Sequence, residues 1–278
     1  GRGRFRMFSY DLHAAAQERN QLEEELRKAV DDGSLQLYYQ PVVDTLSEEI
    51  SGFEALLRWN HPSHGWISPE KFVPVAEDAG LIVAIGEWAI RKACDDLSHW
   101  PDKVRCAVNV SPLQFADPHL PDMIARAIAK AEIDPSRLEL EITEQILISD
   151  LQASKAILGA LHDMGVSVAI DDFGTGYSSL SYLKSLPADY IKIDRSFISN
   201  ITENADDRNI VHSTISMVRN LNLQVIAEGI ETIEQHEMLC HFEAHQGQGY
   251  LISRPIPETE LWNTLEDKVS SGVWKSTI

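Results

Sequence analysis

Short apolar runs rich in β-branched residues alternate along this chain with longer stretches of helical period, which constrains the fold more than any one motif. The clearest unit is the stretch from Val166 to Leu180. Val166 to Ile170 reads as a buried strand, with Asp171 and Asp172 at its end and a turn carrying Gly174 and Gly176. Ser178 and Ser179 are placed to cap a helix from near Leu180 to about Leu186. Further strands are predicted over Leu35 to Val43, Ile50 to Trp59, Val104 to Val110, Arg137 to Thr143, Tyr190 to Asp194 and Leu223 to Glu228, with a last one near Gly249 to Ile252. Helices are predicted over Gln21 to Val30, Pro69 to Glu77, Leu81 to Trp100, Ser111 toward Lys130, Leu151 to Met164, Ala205 to Leu221, Thr232 to Cys240 and from about Pro257, with His61 to Ser68 as a loop.

Such alternation builds parallel βαβ units. The expected fold class is therefore α/β, a (β/α)8 TIM-like barrel. The first two strands have no helix between them, so one strand is expected to run antiparallel. An open doubly wound sheet is the alternative.

The chain has 278 residues, of which 44% are hydrophobic and 24% charged, the composition of an ordinary globular protein. No apolar run approaches a membrane span, and no secretory signal is evident. With 24 basic against 43 acidic residues the formal net charge is −19, which argues against binding of nucleic-acid polymers. A small anionic substrate remains compatible if metal ions or a few placed cations invert the local field. Cys94, Cys106 and Cys240 are scattered and form no CxxC, as expected of inert thiols in a reducing compartment. The histidines around Cys240 (His236, His241, His245) match no zinc spacing and read as structural, and His61 and His64 read as loop residues. Residues 1–20 open on a basic segment, Gly1-Arg-Gly-Arg-Phe-Arg6, and read as a leader; residues 21–278 form the main domain.

Polar residues stand at the ends of the predicted strands: Glu54, Asn109, Glu141, the Asp171–Asp172 pair, Lys192 with Asp194, and Glu228. In a barrel these ends converge on one mouth, where chemistry is built. Carboxylates gathered there repel one another unless neutralised. Oxygen donors of this kind suit Mg²⁺ or Mn²⁺ better than zinc, since no His or Cys joins the set. Two such ions, roughly 3.5–4 Å apart across a bridging carboxylate, would activate a water against a phosphodiester. Lys192 would stand against that water or the developing charge. Arg58 offers either a grip on phosphate or a salt bridge to a neighbouring acid. A solvated acidic rim with no ligand is the plain alternative.

Glu54-Ala-Leu-Leu-Arg58 resembles the signature of the EAL-domain family of bacterial cyclic di-GMP phosphodiesterases. Tyr39-Gln-Pro41, Asn109-Val-Ser111, Glu141-Ile-Thr-Glu144, the segment from Asp171 to Leu180, Lys192-Ile-Asp194, Glu228-Gly-Ile-Glu231 and Gln248-Gly-Tyr250 are similar to the family's other motifs, in order, from about Leu22 to about Leu261. The resemblance implies a two-metal site that opens cyclic di-GMP to linear pGpG. Glu54, Asn109, Glu141 and Asp171 would hold one ion, Asp171 bridging to a second near Asp172 and Glu228 with help from Gln248. Lys192 would position or activate the attacking water, and Glu231 joins Glu54 and Lys192 as a catalytic residue. Gln40, Leu56, Arg58, Asp194 and Gln248 would touch substrate.

By the same resemblance, Glu144 and Glu231 would brace the loop from Asp172 to Ser179, near which the family forms homodimers. The first residues resemble the tail of a diguanylate cyclase (GGDEF) domain, implying upstream GGDEF or sensor domains. The domain is then expected in the cytoplasm, in a parent protein open to inner-membrane anchoring. Near Glu243-Ala-His245 the chain departs from the family pattern, so an altered loop is expected before Gln248. Two competing readings stay open at this stage. One is a receptor that binds the dinucleotide without turnover; the other is an enolase-like barrel acting on carboxylic acids.

Overall fold

The structure is a computed structural model and describes residues 17–149, 151–174 and 186–263. Strands β1 (Leu35–Asp44), β2 (Ile50–His61), β3 (Gly65–Ile67), β4 (Arg105–Asn109), β5 (Leu138–Thr143), β6 (Ser167–Phe173), β7 (Tyr190–Ile193), β8 (Gln224–Ala227), β9 (Gln246–Gly247) and β10 (Ile256–Pro257) form one sheet. From β2 through β4, β5, β6, β7, β8 and β9 every neighbouring pair is parallel. β1 pairs antiparallel with both β2 and β9 and so closes the ring. The barrel is therefore the expected (β/α)8-type one, and its antiparallel strand is β1. The open doubly wound alternative is excluded by that closure.

Around the barrel lie a helix over residues 17–29 (α1), α2 (Pro69–Asp78), α3 (Ile82–Leu97), α4 (Pro112–Phe115), α5 (Leu120–Ala131), α6 (Glu144–Ser149), α7 (Leu151–Asp163), α8 (Arg195–Ile198), α9 (Ala205–Asn220), α10 (Ile233–His241) and a last helix, α11, over residues 258–263. Several begin as their sequences require. Ser111 accepts from Gln114 N, Asn204 accepts from Asp206 N, and Thr232 with Gln235 completes a reciprocal capping box. The core packs the outward faces of the strands against these helices, with Ile90, Leu138, Ile191, Val211, Ile215 and Val225 fully buried.

Four details depart from expectation. α1 already runs at residue 17, before the predicted leader ends. The segment read as a loop from His61 to Ser68 contains β3, and His61 itself ends β2 and is buried. Short helices α6 and α8 follow β5 and β7 directly. The last barrel strand is Gln246–Gly247, because Gly249 to Ile252 turns instead: Leu251 N–H donates to Ile230 O (3.0 Å) and Ile252 N–H to Gly249 O (3.1 Å). Glycine permits this crossing, since a Cβ on Gly249 would lie 2.1 Å from the Ile230 carbonyl oxygen. The helix expected from Leu180 to Leu186, its Ser178 and Ser179 caps and most of the Asp172 to Ser179 loop lie outside the described residues.

α1 is held by a smaller core of its own, in which Leu22 and Leu26 meet Trp59, Phe72, Ile82 and Ile85. Leu26 is fully buried. Leu26→Ala is expected to destabilise the domain by about 2–5 kcal/mol in a denaturant titration; a cost under about 0.5 kcal/mol would show that α1 is not integral to it.

Candidate active site at the barrel mouth

Register explains how the mouth is assembled. Glu54 on β2 lies opposite Gln40 on β1, Asn109 on β4 is level with Glu141 on β5, and Thr143 is level with Asp171 on β6. Alternation along each strand sends these polar side chains inward while their apolar neighbours face the helices. Lys192, from β7, rises through the middle with 1% of its side chain exposed. Its Nζ lies 2.7 Å from Glu141, 2.7 Å from Glu228, 3.5 Å from Glu54 and 3.7 Å from Asp171. Asn109 donates its amide N–H to Glu54 (2.8 Å), and Gln248 donates to the other Glu54 oxygen. The remaining oxygen of Gln248 is buried without a hydrogen-bond partner. Gln40 is buried beside them and donates to Ser253 O (3.1 Å).

One ammonium cannot neutralise so many carboxylates. Burial pushes Glu54 up, but Lys192 and the Gln248 and Asn109 amides outweigh it and hold Glu54 below the usual carboxylate range. Burial, reinforced by Glu54, leaves Glu141 well above that range. Burial also pushes Glu228 up to about 8, against the pull of Lys192. Lys192 is desolvated, yet Asp171, Glu141, Glu228 and Glu54 keep it charged far above ordinary pH. The surplus of negative charge must be met by protons or by added cations. Buried carboxylates together with an orphaned amide oxygen form a donor set that fits a hard divalent cation. Glu54, Glu141, Asp171 and Glu228, with the Asn109 amide on Glu54, are the oxygen-bearing side chains there that could hold one.

A cavity of about 230 Å³ opens over this cluster, lined by Gln40, Glu54, Leu56, Asp171, Glu228 and Gln248. Arg195, Gly229, Glu231, Gly249 and Tyr250 complete its wall, and of these only Glu231 was anticipated as a site residue. Arg195 lies just beyond the Lys192-Ile-Asp194 motif, and Tyr250 stands inside Gln248-Gly-Tyr250 with only Gln248 singled out as a site residue. Leu56 and Asn109 also border a second cavity of about 310 Å³ between β2, β4 and helices α2 to α4, where Arg58 stands. Arg58 makes no ion pair among the described residues; it donates to its own neighbour's carbonyl, Leu57 O (2.8 Å), and lies 5.8 Å from the Tyr38 ring centre.

Other expected residues stand further out. Asp172 is exposed and left-handed (φ 54°), and its N–H donates to Asp171 Oδ1 (2.9 Å). Asp194 caps α8, accepting from Ser196 N (3.0 Å), and does not line the mouth cavity. Glu144 is buried in the first turn of α6. Glu231 accepts from Arg195 (2.7 Å).

Away from the mouth, one group of three ligand atoms within 4.8 Å of one another occurs among the described residues: Glu25, His61 and His64. His61 Nδ1 accepts backbone N–H from Ser63 and His64 (3.1 Å each), so its ring proton sits on Nε2 and points at Glu25 (3.0 Å). That geometry ties α1 to the β2–β3 turn and leaves His61 no lone pair for a metal. The Cys240 neighbourhood is structural as well, its thiol donating to Thr45 O (3.1 Å) while His245 Nδ1 accepts from Val225 N (3.0 Å).

Below the cluster, burial pushes Glu139 up to about 7 despite Arg105. A carboxyl raised in the folded state keeps a proton that the unfolded chain has released, so its contribution is complete below the usual value near 4.5 and is lost as pH climbs through the raised one. Protein kept in chelator is therefore expected to lose stability between about pH 5 and pH 8. Melts across that range test this, with Glu139→Gln flattening the slope around pH 7; a stability that rises across it would refute the assignment.

Comparison with known proteins agrees with the geometry. The profile of the EAL domain family matches residues 23–255. A bifunctional diguanylate cyclase/cyclic di-GMP phosphodiesterase of Pseudomonas aeruginosa, MucR, is 45% identical over 265 residues, covering 94% of this chain and 39% of the relative. The cyclic di-GMP phosphodiesterase NbdA of the same organism is 40% identical over 94% of this chain and 34% of its own length. The chain thus spans between a third and two-fifths of these relatives. Among solved structures, the MucR phosphodiesterase in complex with c-di-GMP superposes with a TM-score of 0.84 at 46% identity, covering 87% of this chain and 99% of that one. The EAL enzyme Bd1971, with cAMP and cyclic di-GMP bound, gives 0.86 at 31% identity over 94% of this chain and 73% of its own. On a match that takes in every strand of the barrel, this chain belongs to the EAL domain family.

Proposed function

We propose that this domain is a metal-dependent phosphodiesterase that opens cyclic di-GMP to linear pGpG. The observation that carries this reading is the mouth itself: Glu54, Glu141, Asp171 and Glu228 converge around Lys192, with Asn109 on Glu54, beneath a cavity of about 230 Å³. EAL domains are metal-dependent, and the reading takes two ions, Mg²⁺ or Mn²⁺, as the neutralising charge. When bound, the metal polarises the phosphate and makes water a stronger nucleophile.

The chain's own residues do the rest. Asn109 and Gln248 hold Glu54 ionised and fixed. Lys192, buried and charged, orients Glu141 and Glu228 and presents a donor to the charge that grows on phosphate. Gln40 and Leu56 wall the substrate side, with Arg58 one cavity away as a phosphate grip. The water's oxygen adds to phosphorus, the bond to the 3′-oxygen breaks, and that oxygen leaves with a proton. The products are a 5′-phosphate and a 3′-hydroxyl. Glu231 and Glu144 are assigned to bracing the Asp172 loop. Pairing of two copies near that loop, and covalent linkage to upstream GGDEF or sensor domains, belong to the same proposal, as does action in the cytoplasm. Among the described residues no helix is long and apolar enough to cross a membrane.

Chromatography for pGpG tests the reading. Purified protein with Mg²⁺ or Mn²⁺ is expected to form it, and chelator or Glu54→Ala to abolish it. Lys192→Ala is expected to lower kcat by roughly 10²–10⁴-fold. Tight binding of intact dinucleotide without turnover in the presence of metal would make the domain a receptor instead.

A further inference from the structure

We infer that Arg195, held by Glu231, reads a guanine base of the substrate at the rim of the mouth; this rests on the cyclic dinucleotide reading above. Both side chains line the cavity that contains Glu54, Asp171 and Glu228. Arg195 is built into that rim. Gly229 adopts φ +69°, and a Cβ there would meet Arg195 Cγ at 2.3 Å and Cβ at 2.7 Å, so the rim segment after Glu228 is shaped around the arginine stem. The Nη2 of Arg195 then donates to Glu231 (2.7 Å), which fixes the plane of the fork, while the side chain remains 58% exposed toward solvent.

The chemistry selects the group that this pair can face. A phosphate approaching Arg195 would also approach the Glu231 carboxylate and be repelled by it. A neutral base meets no such penalty. Guanine carries two adjacent acceptors, O6 and N7, matched to the free N–H groups of a guanidinium; adenine presents an amino group where O6 would be and offers donors to donors. The same cavity wall supplies a surface for the ring. Tyr250 is 46% exposed, and the Arg254 guanidinium covers one face at 4.1 Å from the ring centre. Bases stack on such aromatic platforms without regard to sequence, so edge reading by Arg195 provides the selectivity that stacking lacks.

The test compares cyclic di-GMP with cyclic di-AMP, by kcat/KM with Mg²⁺ or Mn²⁺ and by calorimetric affinity in chelator, for wild type, Arg195→Ala and Arg195→Lys. Arg195→Ala is expected to shrink the preference for guanine by roughly ten- to a hundredfold, and Arg195→Lys, which keeps charge but loses the fork, to leave it shrunken. An unchanged preference in active Arg195→Ala protein overturns the assignment alone. So does an equal loss on both dinucleotides that lysine restores, the signature of a phosphate contact. A wild type that neither binds nor cleaves cyclic di-GMP removes the proposed function, and this assignment with it.

Discussion

The structure turns on a lysine placed where four acids compete for it. Lys192 is enclosed by Glu141, Glu228, Glu54 and Asp171 within 3.7 Å, and none of these positions makes sense for stability alone. Buried charge is tolerated only when paired, and here the pairing is deliberately incomplete. The barrel supplies the rigidity that keeps the acids from relaxing apart, because Glu54, Glu141 and Asp171 sit on its strands and Glu228 directly follows β8, its N–H donating to Ile193 O (3.1 Å). What remains is a standing demand for positive charge at one spot, which is the condition a cation-assisted hydrolase needs.

Much of this is legible in the sequence. The period of two along β5 puts Glu139, Glu141 and Thr143 on one face, and the placement of Glu54, Asn109, Asp171, Lys192 and Glu228 at predicted strand ends marks the mouth. Pattern could not say which strand ran backwards, since β1 and β2 carry equally good strand residues and only the closure onto β9 decides. It also misplaced the last strand. Gly249-Tyr-Leu-Ile252 has apolar strand composition, but Gly249 presses against the Ile230 backbone and forces a turn.

Residues acting through the backbone or through surface pairs were harder to see. Asp194 looks like one more acid at a strand end, yet local hydrogen bonding turns it into the cap of α8. Arg195 follows it with no motif to mark it, and its place at the rim depends on a missing side chain at Gly229, a relation between segments that a linear reading does not contain. His61 shows the converse: two histidines and a glutamate close in space look like a ligand set until the acceptor role of Nδ1 is counted.

The reversed direction of β1 has a mechanical consequence. The β1–β2 connection lies at the floor of the barrel, so no crossover loop rises between these strands above the mouth; the two strands themselves run past Glu54 as a ribbon, joined by β3 on one side and β10 on the other. A ribbon braced on both edges deforms far less than a loop of equal length. The Gln40, Leu56 and Arg58 side of the entrance is therefore a fixed jamb, a rigid edge against which anything entering the mouth must fit.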